Sequence, residues 1–311
     1  MDSGLKVELV FTGGGSGALH ALLSTPGASR FVFGAKIPYS PEALSDFLGE
    51  PPEQAVSPET AVNLAREAFK FHGSGGSFLS ISCTAALATN RSRRGDDRAF
   101  IGIKTAQSEK IFSLYFSKAT RAEQEALLSD WLLVLIAQAV GAERGLMLPG
   151  SFNPIHRGHF GMLKAAEDLT GLRGVFELSA VNVDKPEFPQ EEILRRASAI
   201  LDIPVALTRS PRFTQKAEQF PLTTFVLGYD TALRLVDYAQ GNEWNLFKGL
   251  ETSFLVAGRV SQALDKSSES KRSCFQTLGS LDLPSEAIKM FDVIPEENFR
   301  EDISSTELRG D

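Results

Sequence analysis

Two histidines three residues apart are the strongest candidates for chemistry in this 311-residue sequence. An apolar run from Leu146 ends in a Pro-Gly-Ser turn, and His156 and His159 follow just where a helical pattern of apolar residues begins. The predicted order is strand, tight loop, helix. Free backbone N–H groups of the loop and of the first helical turn would then face one small volume, as in protein anion sites. The loop residues of this site are Gly150, Ser151 and Phe152.

Such a site suits nucleotidyl transfer. In that reaction negative charge builds on the α-phosphate and on the departing pyrophosphate, so catalysis consists mostly of positioning and of fixed hydrogen-bond donors. Histidine donates to phosphate oxygens without having to act as a nucleophile. The alternative interpretation is that His156 and His159 cap the helix or pack in a core, which is the commoner outcome for an isolated His-x-x-His pattern.

The histidine stretch resembles the G-x-F-x-P-x-H-x-G-H signature of the nucleotidyltransferase α/β-phosphodiesterase superfamily. Every fixed position of the signature is present, as Gly150, Phe152, Pro154, His156, Gly158 and His159. The resemblance implies that both histidines are catalytic and that Gly150, Ser151, Phe152 and Gly158 bind the nucleotide.

A second stretch near the C-terminus, from Ile303 to Arg309, looks like the I-S-S-T-x-x-R element of the same superfamily. Taken alone, Ser-Ser-Thr followed by Glu is an ordinary helix cap. The resemblance implies that Arg309 is a third catalytic residue, which grips the outer phosphates. It also implies that the nucleotide is bound by Ile303, Ser304, Ser305 and Thr306.

Three further features resemble those of nicotinate- and nicotinamide-mononucleotide adenylyltransferases. Lys185 follows a predicted strand and could meet the mononucleotide phosphate, or it could be a solvated turn residue. Gly228 and Asp230 form a Gly-x-Asp break between a strand and a helix, which implies nucleotide binding, although the same pattern can be a plain N-cap. Trp244 could stack on a pyridine ring or could pack in the core.

The N-terminal half resembles a different family, the CinA C-terminal domain, which includes nicotinamide mononucleotide deamidases. The matching stretches are Thr12-Gly13-Gly14, Pro26 to Ser29, Tyr39 to Ala43 and Ala55 to Ala61. Ser29 and Tyr39 match the serine and tyrosine of that family, but the lysine expected after Tyr-Ser-x-Glu-Ala is Leu44. Because this replacement removes the obvious base, we expect a vestigial site and a retained fold.

The chain as a whole is predicted to contain two α/β domains. We expect a CinA C-terminal-like domain over residues 1–143 and a doubly wound, Rossmann-like parallel sheet over residues 144–311, with the active site at the carboxyl ends of its strands. Between them, Gly141 to Gly145 forms a short glycine-flanked boundary. Within the second domain, residues 209–216 are predicted to be a basic loop and residues 262–273 a polar surface loop.

Composition narrows the functional classes. The formal charge of −7 argues against a general nucleic-acid surface. Cys83 and Cys274 have no C-x-x-C spacing, so we expect buried thiols and no metal held by protein side chains. The first residues lack a signal pattern, and no apolar run approaches the roughly 20 residues that span a bilayer, so we expect no membrane partner and a cytoplasmic location.

These observations lead to one favoured reaction. We expect in-line attack of a nicotinamide or nicotinate mononucleotide 5′-phosphate on the α-phosphate of ATP, with Mg²⁺ bridging the phosphates. Other acceptors stay open, namely phosphopantetheine and alcohol phosphates activated by CTP. A nucleotide-binding regulator without turnover and an amidohydrolase acting through the first domain also stay open, as does self-association into a homo-oligomer.

Overall fold

The computed structural model describes residues 5–70, 78–91, 93–181, 188–239, 241–264 and 271–301. The strands are β1 Lys6–Thr12, β2 Val32–Lys36, β3 Phe78–Ala86, β4 Arg98–Lys104, β5 Glu109–Tyr115, β6 Gly145–Pro149, β7 Gly174–Ser179, β8 Val205–Thr208, β9 Thr223–Gly228, β10 Ser253–Ala257, β11 Arg259–Leu264, β12 Lys271–Gln276 and β13 Phe291–Ile294. The helices are α1 Ser16–Leu23, α2 Pro41–Leu48, α3 Pro58–Lys70, α4 Arg121–Ala139, α5 Arg157–Thr170, α6 Gln190–Ala197, α7 Phe213–Gln219, α8 Tyr229–Tyr238 and α9 Asn242–Gly249.

The chain forms two compact units. The first comprises residues 1–143 together with residues 190–208, and the second comprises residues 144–189 and 209–311. Both units have a central sheet with helices packed on it, so the α/β class expected from the sequence is confirmed. The second unit carries all the described residues of the histidine stretch.

The first unit is built on a mixed sheet with the strand order β2-β1-β3-β4-β5-β8. β1 is parallel to β2 and β3, and the remaining neighbours are antiparallel. Val10 of β1 packs with Leu64 of α3. Its neighbour Phe11 must point to the other face because side chains alternate along a strand, and there it lies beside Gly15 and Leu132 of α4. Helices therefore cover both faces of this sheet.

Residues 190–208, which the sequence analysis assigned to the second domain, belong to the first unit. β8 pairs antiparallel with β5. The carboxylate of Asp202 accepts the backbone N–H of Ser117 at 3.0 Å, and the carbonyl oxygen of Asp202 accepts the indole N–H of Trp131 at 2.9 Å. The first unit is thus completed by a segment that follows the histidine stretch in the sequence.

The second unit is built on a parallel sheet with the strand order β7-β6-β9-β10-β13. Counted within the unit this order is 2-1-3-4-5, so the order in which strands are added to the sheet reverses between β6 and β9, while all the strands stay parallel. In open parallel sheets, ligands bind at such a reversal, outside the carboxyl ends of the strands.

Helices also cover both faces of the second sheet. Phe176 of β7 packs against Phe160 of α5 with ring centroids 5.5 Å apart, whereas the next residue, Glu177, contacts Lys216 of α7. Consecutive strand residues point to opposite faces, so α5 and α7 lie on opposite sides. On the α7 face an aromatic core joins the helices to the strands; its rings are Phe213, Phe225, Trp244, Phe247, Phe254 and Phe291.

Candidate active site

A cavity of about 770 Å³ lies at the carboxyl ends of the strands of the second unit, at the reversal between β6 and β9. β6 ends at Pro149, the signature loop follows, and α5 begins at Arg157 with His156 as its N-cap. Most of the described residues that were selected from the sequence in this half of the chain line the cavity. These are Gly150, Ser151, His156, Gly158, His159, Gly228 and Asp230.

The two histidine rings lie against each other in the cavity wall. Their centroids are 3.8 Å apart, and the backbone N–H of His156 donates to Nδ1 of His159 at 3.2 Å. Because Nδ1 accepts, the proton of the neutral His159 ring must be on Nε2. The Nδ1 atom of His156 is buried and has no hydrogen-bond partner within the described part of the chain. The pair therefore retains hydrogen-bonding capacity that the protein does not use.

Burial keeps both imidazoles neutral at pH 7. It lowers the pKa of His159 to about 4, with a further contribution from His156. Burial also lowers the pKa of His156, while the nearby carboxylate of Glu301 acts in the opposite direction. A phosphate group bound next to the rings would raise both pKa values, since an opposite charge favours the protonated form. In the free protein the two histidines are thus neutral hydrogen-bond donors, and a bound anion would favour their protonated, charged forms.

The three glycines of the site differ in what a Cβ atom at each position would contact. A Cβ on Gly150 would come within 2.5 Å of the Phe152 ring, and one on Gly158 would come within 3.1 Å of the His156 ring. A Cβ on Gly228 would instead meet only a methyl carbon of Met162 at 3.7 Å, and the backbone of Gly228 is ordinary extended chain. Neither the fold nor the local backbone demands glycine at position 228, so room for a ligand is the remaining reason.

Charged side chains surround the rest of the cavity. Asp230, in the first turn of α8, forms an ion pair with Arg259. Glu177 and Lys216 form a second pair, at 2.7 Å, that is almost fully buried. Arg234 of α8 also lines the cavity. The mixture of signs suits a ligand that carries both phosphate groups and neutral polar groups.

Two residues selected from the sequence do not line the cavity. Phe152 is buried with a left-handed backbone (φ 44°), and its ring contacts His159 edge-on at 5.2 Å, so its side chain supports a histidine, while nucleotide binding by its backbone stays a prediction. Trp244 is 1% exposed and packs against Phe247 and Phe291, so its indole offers no face to a pyridine ring. Of the two interpretations given for Trp244, the structure supports core packing.

Six of the selected residues lie outside the described residues, and their roles stay predictions. They are Lys185, Ile303, Ser304, Ser305, Thr306 and Arg309. Glu301 is the last described residue before this C-terminal group. It lines the cavity and forms an ion pair of 3.3 Å with Arg157.

The Glu177–Lys216 pair was not predicted from the sequence. A carboxylate in the middle of the apolar strand β7 was the available signal, because an ionised group is rarely placed at a buried strand position without a partner. The partner could not be identified, since the predicted loop over residues 209–216 is wrong beyond Arg212. Lys216 lies on α7, not in a loop.

The first unit has a smaller cavity of about 440 Å³ beside its glycine-rich turn. Gly13, Gly14 and Tyr39 line it. The N-terminus of α1, which could have held a phosphate, is occupied by the protein itself: the carboxylate of Glu125 accepts from Gly15 N, Ser16 N and the Ser16 hydroxyl at 3.0, 2.6 and 2.7 Å.

Ser29, the other residue of the predicted vestigial site, is not among the residues that line this cavity. It is exposed on a short 3₁₀ turn, and its carbonyl oxygen accepts from Lys6. Leu44, at the position of the missing lysine, packs in the hydrophobic core with Val10 and Leu64. That position therefore supplies an apolar core side chain and no base.

Across the described residues, no helix is long and apolar enough to cross a membrane. Within the same part of the chain, no group of three or more His, Cys, Asp or Glu side chains is placed to hold a metal ion. Cys83 is a buried free thiol, as expected.

Several solved structures of CinA proteins show similarity to the chain. A CinA superfamily protein from Escherichia coli is 16% identical with a TM-score of 0.39, over 44% of this chain and 81% of that one. A competence or damage-inducible protein from Enterobacter asburiae is 20% identical with a TM-score of 0.38, over 44% and 88%. A competence/damage-inducible protein from Agrobacterium tumefaciens is 22% identical with a TM-score of 0.38, over 43% and 85%.

No curated protein sequence matches the chain. A family of proteins described as cytidylyltransferase-like matches residues 147–311, which include the histidine stretch and the whole C-terminal segment.

Proposed function

Since the chain belongs to the cytidylyltransferase-like family and has a nucleotidyltransferase-type domain over residues 147–311, we propose that it transfers AMP from ATP to the 5′-phosphate of a pyridine mononucleotide. The acceptor is nicotinamide or nicotinate mononucleotide, and the products are the dinucleotide and pyrophosphate. The preference for this acceptor rests on the sequence resemblances, because both halves of the chain resemble proteins that handle the same compound.

One observation carries the proposal. The two signature histidines, the glycine loop after β6 and the start of α5 all border one cavity at the point where the parallel sheet reverses. Helix N-termini and neutral imidazole N–H groups are the donors that a polyphosphate needs. The cavity also falls within the range of about 300–1,000 Å³ that small-ligand sites occupy.

The proposed reaction uses these groups as follows. Mg-ATP binds with its phosphates against the first turn of α5 and the histidines. An oxygen of the acceptor phosphate attacks the α-phosphorus in line, and the bond from that phosphorus to the bridging oxygen of the β-phosphate breaks, so pyrophosphate leaves with its electron pair. His159, through Nε2–H, and His156 donate to the charged oxygens of the transferred and leaving groups. The histidines stabilise the transition state because their N–H donors are already in position when negative charge develops on the phosphate oxygens.

The test is pyrophosphate release by the purified protein. Mg-ATP would be combined separately with nicotinamide mononucleotide, nicotinate mononucleotide and phosphopantetheine, and Mg-CTP with alcohol phosphates. We expect release with ATP and a pyridine mononucleotide. Loss of one donor typically costs about 10²–10³ in kcat, so His156→Ala and His159→Ala should lower the rate by that order with the fold intact.

Other results would change the assignment. Release only with phosphopantetheine or only with CTP would keep the nucleotidyltransferase and replace the acceptor. Tight ATP binding without release from any combination would indicate a regulator that has lost turnover. Near-normal rates in both alanine variants would contradict the role given to the histidines.

For the first unit we propose a CinA-like domain without deamidase activity. The burial of Leu44 in the core supports this, because no base occupies the position of the missing lysine. Ammonia release from nicotinamide mononucleotide is the measurement that decides, and we expect none above background. Release that depends on Ser29 would overturn this part of the proposal.

A further inference from the structure

The wall of the active-site cavity contains a buried ion pair that the proposed chemistry does not use. Nζ of Lys216 lies 2.7 Å from both carboxylate oxygens of Glu177. The two side chains are 6% and 1% exposed, respectively. What little surface the pair keeps therefore belongs mainly to Lys216, with Glu177 behind it.

Stability does not explain this pair. Removing two charges from water costs several kcal/mol per ion, and apolar residues of similar volume often do as well or better in the same place. Phe213, on the same short helix as Lys216, packs against the rings of Phe225 and Phe254. Since both members of the pair line the cavity, a role in ligand recognition is the better account.

The position of the pair indicates which part of the ligand it meets. The histidines lie at the start of α5, whereas Lys216 lies on α7, on the opposite face of the sheet. In-line transfer places the acceptor phosphate on the side of the α-phosphorus away from the leaving pyrophosphate. With the ATP phosphates held at α5, the base of the acceptor extends toward α7. There Phe213 provides an apolar ring beside the pair.

We propose that Lys216, held and neutralised by Glu177, binds the carbonyl oxygen of the acceptor's carboxamide, so that the pair selects the amide form of the pyridine mononucleotide over the acid form. This inference rests on the proposed function and extends it to the choice between nicotinamide and nicotinate.

The selection is electrostatic. An uncharged carboxamide accepts a hydrogen bond from Lys216 and leaves the Glu177–Lys216 pair with no net charge. A carboxylate at the same place loses its hydration, and Glu177 offsets much of its attraction to Lys216. A like charge placed this close disfavours binding, and because Lys216 offsets part of the repulsion from Glu177, we expect a difference of roughly tenfold or more in relative affinity.

The experiment compares the two acceptors in the wild type and in variants of Glu177. The quantity measured is the ratio of kcat/KM for nicotinamide mononucleotide to that for nicotinate mononucleotide, from pyrophosphate release with Mg-ATP. We expect the wild type to favour the amide by roughly tenfold or more. Glu177→Gln leaves Lys216 without its counter-ion and should reverse the preference, because the carboxylate of the acid then becomes that counter-ion. Glu177→Asp keeps the charge and should keep the amide preference.

A matched control comes from the first unit. Glu8 is also a buried carboxylate that pairs with a lysine at 2.7 Å, although its partner Lys36 is partly exposed, so Glu8→Gln removes a lysine–carboxylate contact without touching the cavity. It should leave the acceptor ratio unchanged. Thermal unfolding of every variant shows whether a change in ratio comes from a folded protein.

The possible outcomes distinguish failure of this inference from failure of the proposed function. Turnover with an acid preference in the wild type, or a ratio that stays within about twofold in folded Glu177→Gln, would overturn this inference and leave the proposed function standing. Silence of the wild type with both pyridine mononucleotides would overturn the proposed function and this inference with it. Reversal by Glu177→Gln, with Glu177→Asp and Glu8→Gln like the wild type, would establish both.

Discussion

At the scale of single residues, the burial of His159 makes the stability of the protein depend on pH. The pKa of this imidazole is about 4 in the folded protein, against about 6.5 for a free histidine. Between these values the unfolded chain binds the proton and the native state does not. The native state is therefore penalised as the pH falls from about 6.5 toward 4, and above pH 6.5 this residue contributes no pH dependence.

The corresponding prediction concerns His159→Asn, whose side-chain oxygen can still accept the N–H of His156. Relative to the variant, the wild type should lose stability below pH 6.5 by up to about 1.4 kcal/mol per pH unit, since one proton is involved. Urea unfolding of both proteins between pH 4.5 and 7.5 measures the difference. Parallel curves over that range would show that the ring titrates normally.

A substitution of Gly228 tests whether the bound ligand occupies the space next to this residue. Gly228→Ala should leave the melting temperature nearly unchanged, because its Cβ would make only an ordinary van der Waals contact and the backbone is extended. The same Cβ would enter the cavity, so we expect ATP affinity to fall by roughly tenfold or more, as for a lost close contact. Gly171→Ala is unsuitable as a control because its backbone is left-handed. Gly249→Ala, with open space and an ordinary helical position, is the matched variant.

Sequence reasoning found some of these residues for a clear physical reason. The signature residues His156, Gly158 and His159 are close in sequence, and the turn that links β6 to α5 is enough to bring them together. Glu177 and Lys216 meet only through the packing of α7 on the sheet. Phe152 and Trp244 illustrate the reverse case, since an aromatic side chain near a site can serve the core as easily as the ligand.

At the scale of elements, α1 is capped by a residue more than a hundred positions away. Its N-cap, Gly15, has no side chain to satisfy the first N–H groups, and the carboxylate of Glu125 on α4 accepts from Gly15 and Ser16 instead. A carboxylate at a helix N-terminus is favourable both as an acceptor and through the helix dipole.

We therefore expect Glu125→Ala to lower the free energy of unfolding by about 1–2 kcal/mol, the usual cost of losing a cap. Asp130→Ala on the same helix is the control, because Asp130 is exposed and should change stability by less than about 0.5 kcal/mol. Chemical denaturation of the three proteins gives the comparison. Equal losses in the two variants would show that Glu125 acts as a surface charge only.

The elements themselves were largely predictable where a periodic pattern ran for two turns or more. Apolar residues at helical spacing predict a long helix over residues 121–140, and α4 spans Arg121–Ala139. The predicted Gly-x-Asp break falls where β9 ends and α8 begins. The predicted surface loop over residues 262–273 is wrong at both ends, since residues 259–264 and 271–276 pair as the antiparallel strands β11 and β12. A stretch rich in serine and lysine is typical of loops, but composition alone does not distinguish a loop from a two-stranded ribbon.

At the scale of the whole molecule, the first unit consists of two separated pieces of chain. A fragment of residues 1–143 should fold poorly, because β5 loses its partner β8 and the buried indole N–H of Trp131 loses its acceptor, the carbonyl oxygen of Asp202. Joining residues 190–208 to that fragment through a flexible linker should restore the fold. Trp131 is the single tryptophan in either fragment, so its fluorescence reports the result directly. A compact, cooperative 1–143 fragment would contradict this expectation.

This two-piece construction also sets an order of events during synthesis. Domains generally begin to fold from the N-terminus as the chain is made. Here the edge of β5 stays unpaired until residues 205–208 have emerged, and by then the ribosome has already made the signature loop, α5 and β7 of the second unit. The unit that begins the chain therefore cannot finish folding before part of the second unit has been made, and the nascent protein must carry an open sheet edge while the signature loop is translated.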